Sequence, residues 1–174
     1  GVRERIGKMK IGLLSDTHDS LSNVIYAVET MRDRGVDTVV HCGDLTDFEL
    51  LSRFKDFRLI YLLGNMDQAS GTIAKIVKGM NPDNFAGTVF TGKLDGVSVA
   101  ATHSHIEGKV MELVQSRKYQ WIFHGHTHRR RDEVVRGVRI VNPGALGGMN
   151  YGVRTFCIVD LTTPEVDFVQ VTSD

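Results

Sequence analysis

Five short polar blocks in this chain have residue types and spacings that suit metal chemistry: Asp16-Thr-His18, Gly43-Asp44, Gly64-Asn65-Met66-Asp67, Thr102-His103-Ser104-His105 and His124-Gly-His126-Thr-His128. Imidazoles mixed with carboxylates suit borderline or harder divalent ions such as Mn, Ni, Co, Fe or Zn, and no thiolate cluster signals a structural zinc site. Residues two apart on an extended segment point the same way, so Asp16 with His18, and His126 with His128, each converge on one ion. Two ions are implied. Any one of these groups alone reads as a helix cap or a packed histidine; all five placed at the ends of predicted strands do not.

Hydrophobic periodicity predicts the strands and helices that carry these blocks. Residues 10–15 form a short apolar run, followed by a helical stripe of Val24, Ala27, Val28 and Met31. Ser20 or Ser22 suits the cap of this helix and Gly35 its end. Residues 36–41 and 59–63 read as buried strands, with a short helix over 47–54 between them. Alternation of strand and helix implies a parallel sheet with right-handed crossovers. Beyond it, strands over 97–102 and 121–124 surround a helix carrying Val110, Leu113, Val114 and Arg117. Runs at 133–135, 138–141, 154–160 and 166–171 then suggest hairpins and a second, mostly antiparallel sheet. In open α/β sheets ligands collect outside the carboxyl ends of strands, which is where the polar blocks fall.

Composition excludes several classes. Of 174 residues, 41% are hydrophobic and 24% charged, as in an ordinary globular chain, which argues against disorder. Lys plus Arg equals Asp plus Glu at 21 each, so no global field draws the chain to nucleic acid or an anionic membrane. No apolar run is long enough to span a bilayer. Cys42 and Cys157 sit in apolar strand-like stretches and read as buried free thiols, implying a reducing, cytoplasmic setting. Residues 1–9 read as a tail, part of it from processing or from sequence added for expression, ahead of a single domain over 10–174.

The ordered blocks Asp-x-His, Gly-Asp, Gly-Asn, His-x-His and Gly-His-Thr-His resemble the calcineurin-like metallophosphoesterases. The small bacterial and archaeal YfcE-type phosphodiesterases are most similar, given the short chain and Asn142-Pro-Gly144 after the last histidine block. The resemblance covers roughly residue 10 to the C-terminus. It implies an α/β four-layer sandwich of two facing mixed β-sheets flanked by helices. It implies that Asp16, His18 and His128 hold one ion, that Asn65, His103 and His126 hold the other, and that Asp44 bridges them. Manganese is the expected metal, with a small phosphodiester or nucleotide-like substrate hydrolysed by a hydroxide bridging the two ions. A homodimer is one arrangement the resemblance allows.

One position departs from the common pattern. Where many members carry His after Gly-Asn, this chain has Met66, whose thioether has no proton to give. His105 is the nearest replacement acid by sequence, and without an acid the substrates narrow toward diesters and activated esters. Asn65 could also donate to a phosphate oxygen. Asp67 reads equally as a residue orienting a metal ligand or His105 and as a turn residue. His41 and His124 read as packed or supporting histidines. The run Arg129-Arg130-Arg131 reads as a solvated face ahead of a phosphate contact. Two further functions stay open at this point: a scaffold resembling the phosphoesterase-like subunit of the retromer coat, and a nuclease of the same superfamily.

Overall fold

In the computed structural model, residues 9–18, 20–67, 69–148 and 152–171 are described. Six strands form one sheet in the order β11-β10-β1-β2-β3-β4 and five form a second in the order β5-β6-β7-β9-β8. In the first, β1 (Lys10–Leu14), β2 (Thr38–His41), β3 (Arg58–Leu62) and β4 (Phe85–Gly87) run parallel, and β10 (Thr155–Asp160) joins β1 antiparallel, followed by β11 (Glu165–Gln170). In the second, β6 (Val97–Thr102), β7 (Trp121–His124) and β9 (Val138–Pro143) run parallel, with β5 (Val89–Leu94) and β8 (Arg130–Val135) antiparallel at the edges.

Alternation along the strands gives each sheet two apolar faces. Ile11, Leu13, Val40, Ile60 and Leu62 of the first sheet meet Phe90, Val99, Trp121, Phe123 and Val141 of the second in one dry layer. The reverse face of the first sheet, including Leu14, Val39, Leu59 and Phe156, packs on α1 (Leu21–Asp33), a 3₁₀ helix (Phe48–Phe54) and α2 (Ser70–Met80). The outer face of the second sheet, with Ala100, Ile122 and Ile140, packs on Leu113 and Val114 of α3 (Lys109–Gln115). Helices, sheet, sheet and helix make the expected four layers.

Five expectations need correction. The second sheet is mixed rather than mostly antiparallel, because β9 joins β7 in parallel. The last hairpin, β10 with β11, belongs to the first sheet: β10 pairs β1 over four residue pairs. The helix over 47–54 is 3₁₀, with Asp47 Oδ1 accepting from Glu49 N–H at its start. Ser20 occupies the cap position of α1, yet its hydroxyl makes no cap hydrogen bond. Arg117 lies beyond the end of α3, at φ 58°. Gly35 does end the α1 turn at φ 75°, a conformation that suits glycine. Cys42 and Cys157 are buried free thiols as expected, and burial pushes both thiol pKa values up. Among the described residues no helix is long and apolar enough to cross a membrane.

Candidate dinuclear metal centre

Because β1, β2 and β3 are parallel and in register at Leu14, His41 and Tyr61, the chain leaves all three at one edge. Thr102 of β6 pairs with His124 of β7, so the second sheet likewise delivers its ends together. The backbone ladder continues past the strands: Asp16 N–H donates to Gly43 C=O (2.9 Å) and His18 N–H to Asp44 C=O (2.9 Å). Two glycines permit the approach. A Cβ on Gly125 would collide with the Ser15 hydroxyl, and one on Gly43, at φ 99°, would lie 2.6 Å from Leu62 C=O.

Two donor clusters result. Asp16, His18 and His128 bring ligand atoms within 4.8 Å of one another, and Asp44, His103 and His126 do the same. Asn65 joins the second cluster, its Oδ1 2.9 Å from His103 Nε2. The seven residues expected as ligands are therefore brought together. Asp44 Oδ2 lies 3.2 Å from His103 Nε2, while its Oδ1 accepts from Met66 N–H (2.8 Å).

The donor atoms are left over for something outside the protein. Asp16 is fully buried; its Oδ2 accepts from Ser15 Oγ (2.6 Å) and His126 N–H (3.1 Å). Asp16 Oδ1 and His18 Nε2 are buried without a hydrogen-bond partner, although His128 Nε2 lies 3.2 Å from that oxygen. Buried polar atoms are normally satisfied, so two orphans in one cluster of imidazole and carboxylate fit a divalent cation. His103 is oriented for the same purpose: its Nδ1–H donates to Cys42 C=O (2.5 Å), which turns Nε2 toward the second cluster.

Burial works against the charge of Asp44, but the hydrogen bond and charge of His103 outweigh it and hold the carboxyl below the usual range. For His103, burial is likewise overcome, here by Asp44 and Asp16, and its pKa rises. His41 is a neutral core residue stacked on Tyr61, its pKa lowered to about 3 by burial. Its Nδ1 accepts from Gly43 N–H (3.0 Å), so Nε2–H donates to Thr17 Oγ1 (3.0 Å), tying two ligand loops together. His124 is also buried, its pKa lowered to about 4 chiefly by burial, with Nδ1 3.2 Å from Gly125 C=O.

Asp67 holds backbone. Its carboxylate accepts from the N–H groups of Gly64 (2.6 Å), Asp44 (3.0 Å) and Leu45 (2.9 Å) and from Tyr61 O–H (2.8 Å). It thus locks the Asp44 loop to the Asn65 loop, and none of these bonds reaches His105. Burial raises its pKa despite these donors. His105 is exposed beside the second cluster, its ring 5.5 Å from that of His103. Burial, then His103 and His126, lower its pKa. Met66 is 50% exposed, and its backbone N–H donates to Asp44 Oδ1.

Two supports, Ser15 and Tyr61, escaped the sequence reading, and a third, Asn142, was marked there only as part of a turn. Ser15 fixes Asp16, and its only signal is adjacency. Tyr61 is a fully buried aromatic with a hydroxyl, a type that needs a partner when buried, in an otherwise apolar strand. Asn142, buried at the end of β9, donates from Nδ2 to Gly125 C=O (3.1 Å) and Thr127 Oγ1 (3.0 Å) and accepts at Oδ1 from Gly144 N–H (2.9 Å). It pins the loop that carries His126 and His128.

A two-sheet sandwich with two adjacent His/Asp clusters at its converging strand ends defines a dinuclear metallohydrolase class. The model of the calcineurin-like phosphoesterase superfamily domain matches residues 9–164, and the chain belongs to that superfamily. It is 33% identical over 159 residues to phosphodiesterase MJ0936 of Methanocaldococcus jannaschii, covering 90% of this chain and 96% of that protein. A solved archaeal phosphodiesterase superposes with a TM-score of 0.89 at 32% identity, over 94% of this chain and all of the other. The YfcE phosphoesterase from E. coli shares the fold at 17% identity and a TM-score of 0.65, over 94% of this chain and 100% of that one. The chain is a hydrolase of phosphoester bonds.

Proposed function

We propose that this protein is a phosphodiesterase dependent on two divalent ions, Asp16, His18 and His128 holding one, Asn65, His103 and His126 the other, and Asp44 shared. The observation that carries the reading is the pair of orphaned buried atoms, Asp16 Oδ1 and His18 Nε2, beside a second complete donor set. When bound, such ions supply a water acidified toward hydroxide near neutral pH and Lewis-acid stabilisation of phosphoryl oxygens.

The chain's own residues do the rest. Asn65, exposed at the rim, presents an amide N–H₂ that donates to a phosphate oxygen as charge builds. His105, exposed beside the second cluster, is assigned the proton for a leaving alkoxide, since Met66 has none to give. Asp67 acts by positioning Asp44 and Asn65. Ser15, His41, Tyr61 and Asn142 keep the ligand loops rigid, which a preorganised site requires. A small diester or nucleotide-like substrate, manganese, a cytoplasmic setting, a single domain over residues 10–174 and a homodimer complete the proposal. A non-catalytic scaffold gains nothing from desolvating Asp16, Asp44 and His103 together, so the enzyme is favoured.

Hydrolysis of bis(p-nitrophenyl) phosphate by the Mn-loaded protein tests the proposal. Asp44→Asn should lose most of that activity while remaining folded by circular dichroism. Full activity in that variant would refute the shared-ligand role.

A further inference from the structure

A cavity of about 320 Å³ opens beside the first donor cluster, lined by His128, Arg129, Arg130, Gly152 and Val153. Its size falls at the small end of ligand pockets, roughly 300–1,000 Å³. His128 is both a wall of the cavity and a member of the first cluster, so a group bound there lies next to the reacting phosphate.

The three consecutive arginines have different fates. On β8 successive side chains point to opposite faces, and Arg131 turns to Glu133 and to His124 Nε2, 3.3 Å from its Nη1. Arg129 and Arg130 line the cavity instead. Among the described residues neither guanidinium has a hydrogen bond or an ion pair. Asp132, the nearest acid along the chain, is held at both oxygens by Arg139, at 2.9 and 3.0 Å, and does not neutralise them. Val153, 50% exposed, adds an apolar wall. Two uncommitted guanidinium groups are a forked donor set that matches the oxygens of a phosphate.

We infer that this cavity is a subsite for a second phosphate of the substrate, so that the preferred diesters carry a further phosphate a few bonds from the scissile one. The inference rests on the phosphodiesterase reading and names its substrate class. The cavity is too small for a polymer to fill, and among the described residues no Phe, Tyr or Trp lines it, so the substrate is a small molecule.

The test compares the p-nitrophenyl ester of thymidine 5′-phosphate with the same ester carrying a 3′-phosphate, on the Mn-loaded protein. The added phosphate should raise kcat/KM at least tenfold, mainly through KM. In Arg129→Gln/Arg130→Gln that advantage should fall below threefold, and the corresponding Lys pair should retain part of it. Arg53→Gln, remote from the cavity, should leave the ratio unchanged. Equal kcat/KM for the two esters, or an advantage that survives the double substitution, would overturn the subsite. If neither ester nor bis(p-nitrophenyl) phosphate is hydrolysed, the phosphodiesterase reading fails. Calorimetry then still decides the subsite: thymidine 3′,5′-bisphosphate should bind at least tenfold tighter than the 5′-monophosphate in the wild type but not in the double variant. Equal affinities in the wild type would overturn it.

Discussion

Replacing His126, a proposed metal ligand, should reveal strain stored in the site. Asp16, His18, Asp44, His126 and His128 all lie in the left-handed region, at φ 52°, 48°, 63°, 71° and 63°. A side chain with a Cβ loses about 1–2 kcal/mol there, Asp and His less than most, so the five together cost roughly 5 kcal/mol. That is comparable to the whole stability of a marginal domain, about 5–15 kcal/mol. His126→Gly and His126→Ala remove the same ring and differ only in tolerance of φ 71°. Glycine gains about 1–2 kcal/mol from the backbone and loses about 0.4–1 through its freer unfolded chain. The glycine variant should therefore be more stable by about 0.5–1 kcal/mol, or a Tm roughly 1–4 °C higher for a chain of this length. At exposed Val134 on β8, where φ is not positive, the order should reverse. Thermal unfolding by circular dichroism at pH 8 with EDTA reads both pairs. An alanine variant at 126 as stable as the glycine variant would refute the strain argument.

Acid should drain stability through His41. Its folded pKa of about 3 lies below the unfolded 6.5, so the stabilisation is complete above pH 6.5 and is lost as pH falls toward 3. Between pH 7.5 and 5.0 the loss is about 2 kcal/mol, at 1.36 kcal/mol per unit of separation. Urea unfolding in EDTA should show the wild type losing that much more than His41→Gln, and parallel profiles would dismiss the assignment. Asn142→Ala should weaken metal binding about 10–100-fold by freeing the His126–His128 loop, with the fold intact by circular dichroism. Unchanged affinity in calorimetry would mean the loop holds itself. Met66→His should raise kcat/KM for alkyl phosphomonoesters at least tenfold, and no gain would tell against the missing-acid argument.

What the sequence made legible was what repeats locally. Buried strands followed by polar blocks announced the ligand loops, because a parallel sheet must deliver its strand ends to one edge. The stripe of Val24, Ala27, Val28 and Met31 became the buried face of α1. Elements without such signals were missed. α2 begins after Ala69 at φ 54° with no capping side chain, β4 has three residues ending in Gly87, and β5 is interrupted by Gly92 and Lys93. The placement of β10 beside β1 is a pairing between chain ends that no local pattern encodes. At the site, donor types were readable but their supports were not. Asp67 grips backbone N–H groups more than twenty residues away, and backbone atoms leave no mark in a sequence.

Titrating Mn²⁺ into chelator-stripped protein while following bis(p-nitrophenyl) phosphate hydrolysis tests whether two bound ions make this chain a phosphodiesterase. The rate should be negligible in EDTA and rise to a plateau at two bound ions per chain. Two bound ions without hydrolysis, or full hydrolysis in EDTA, would contradict it.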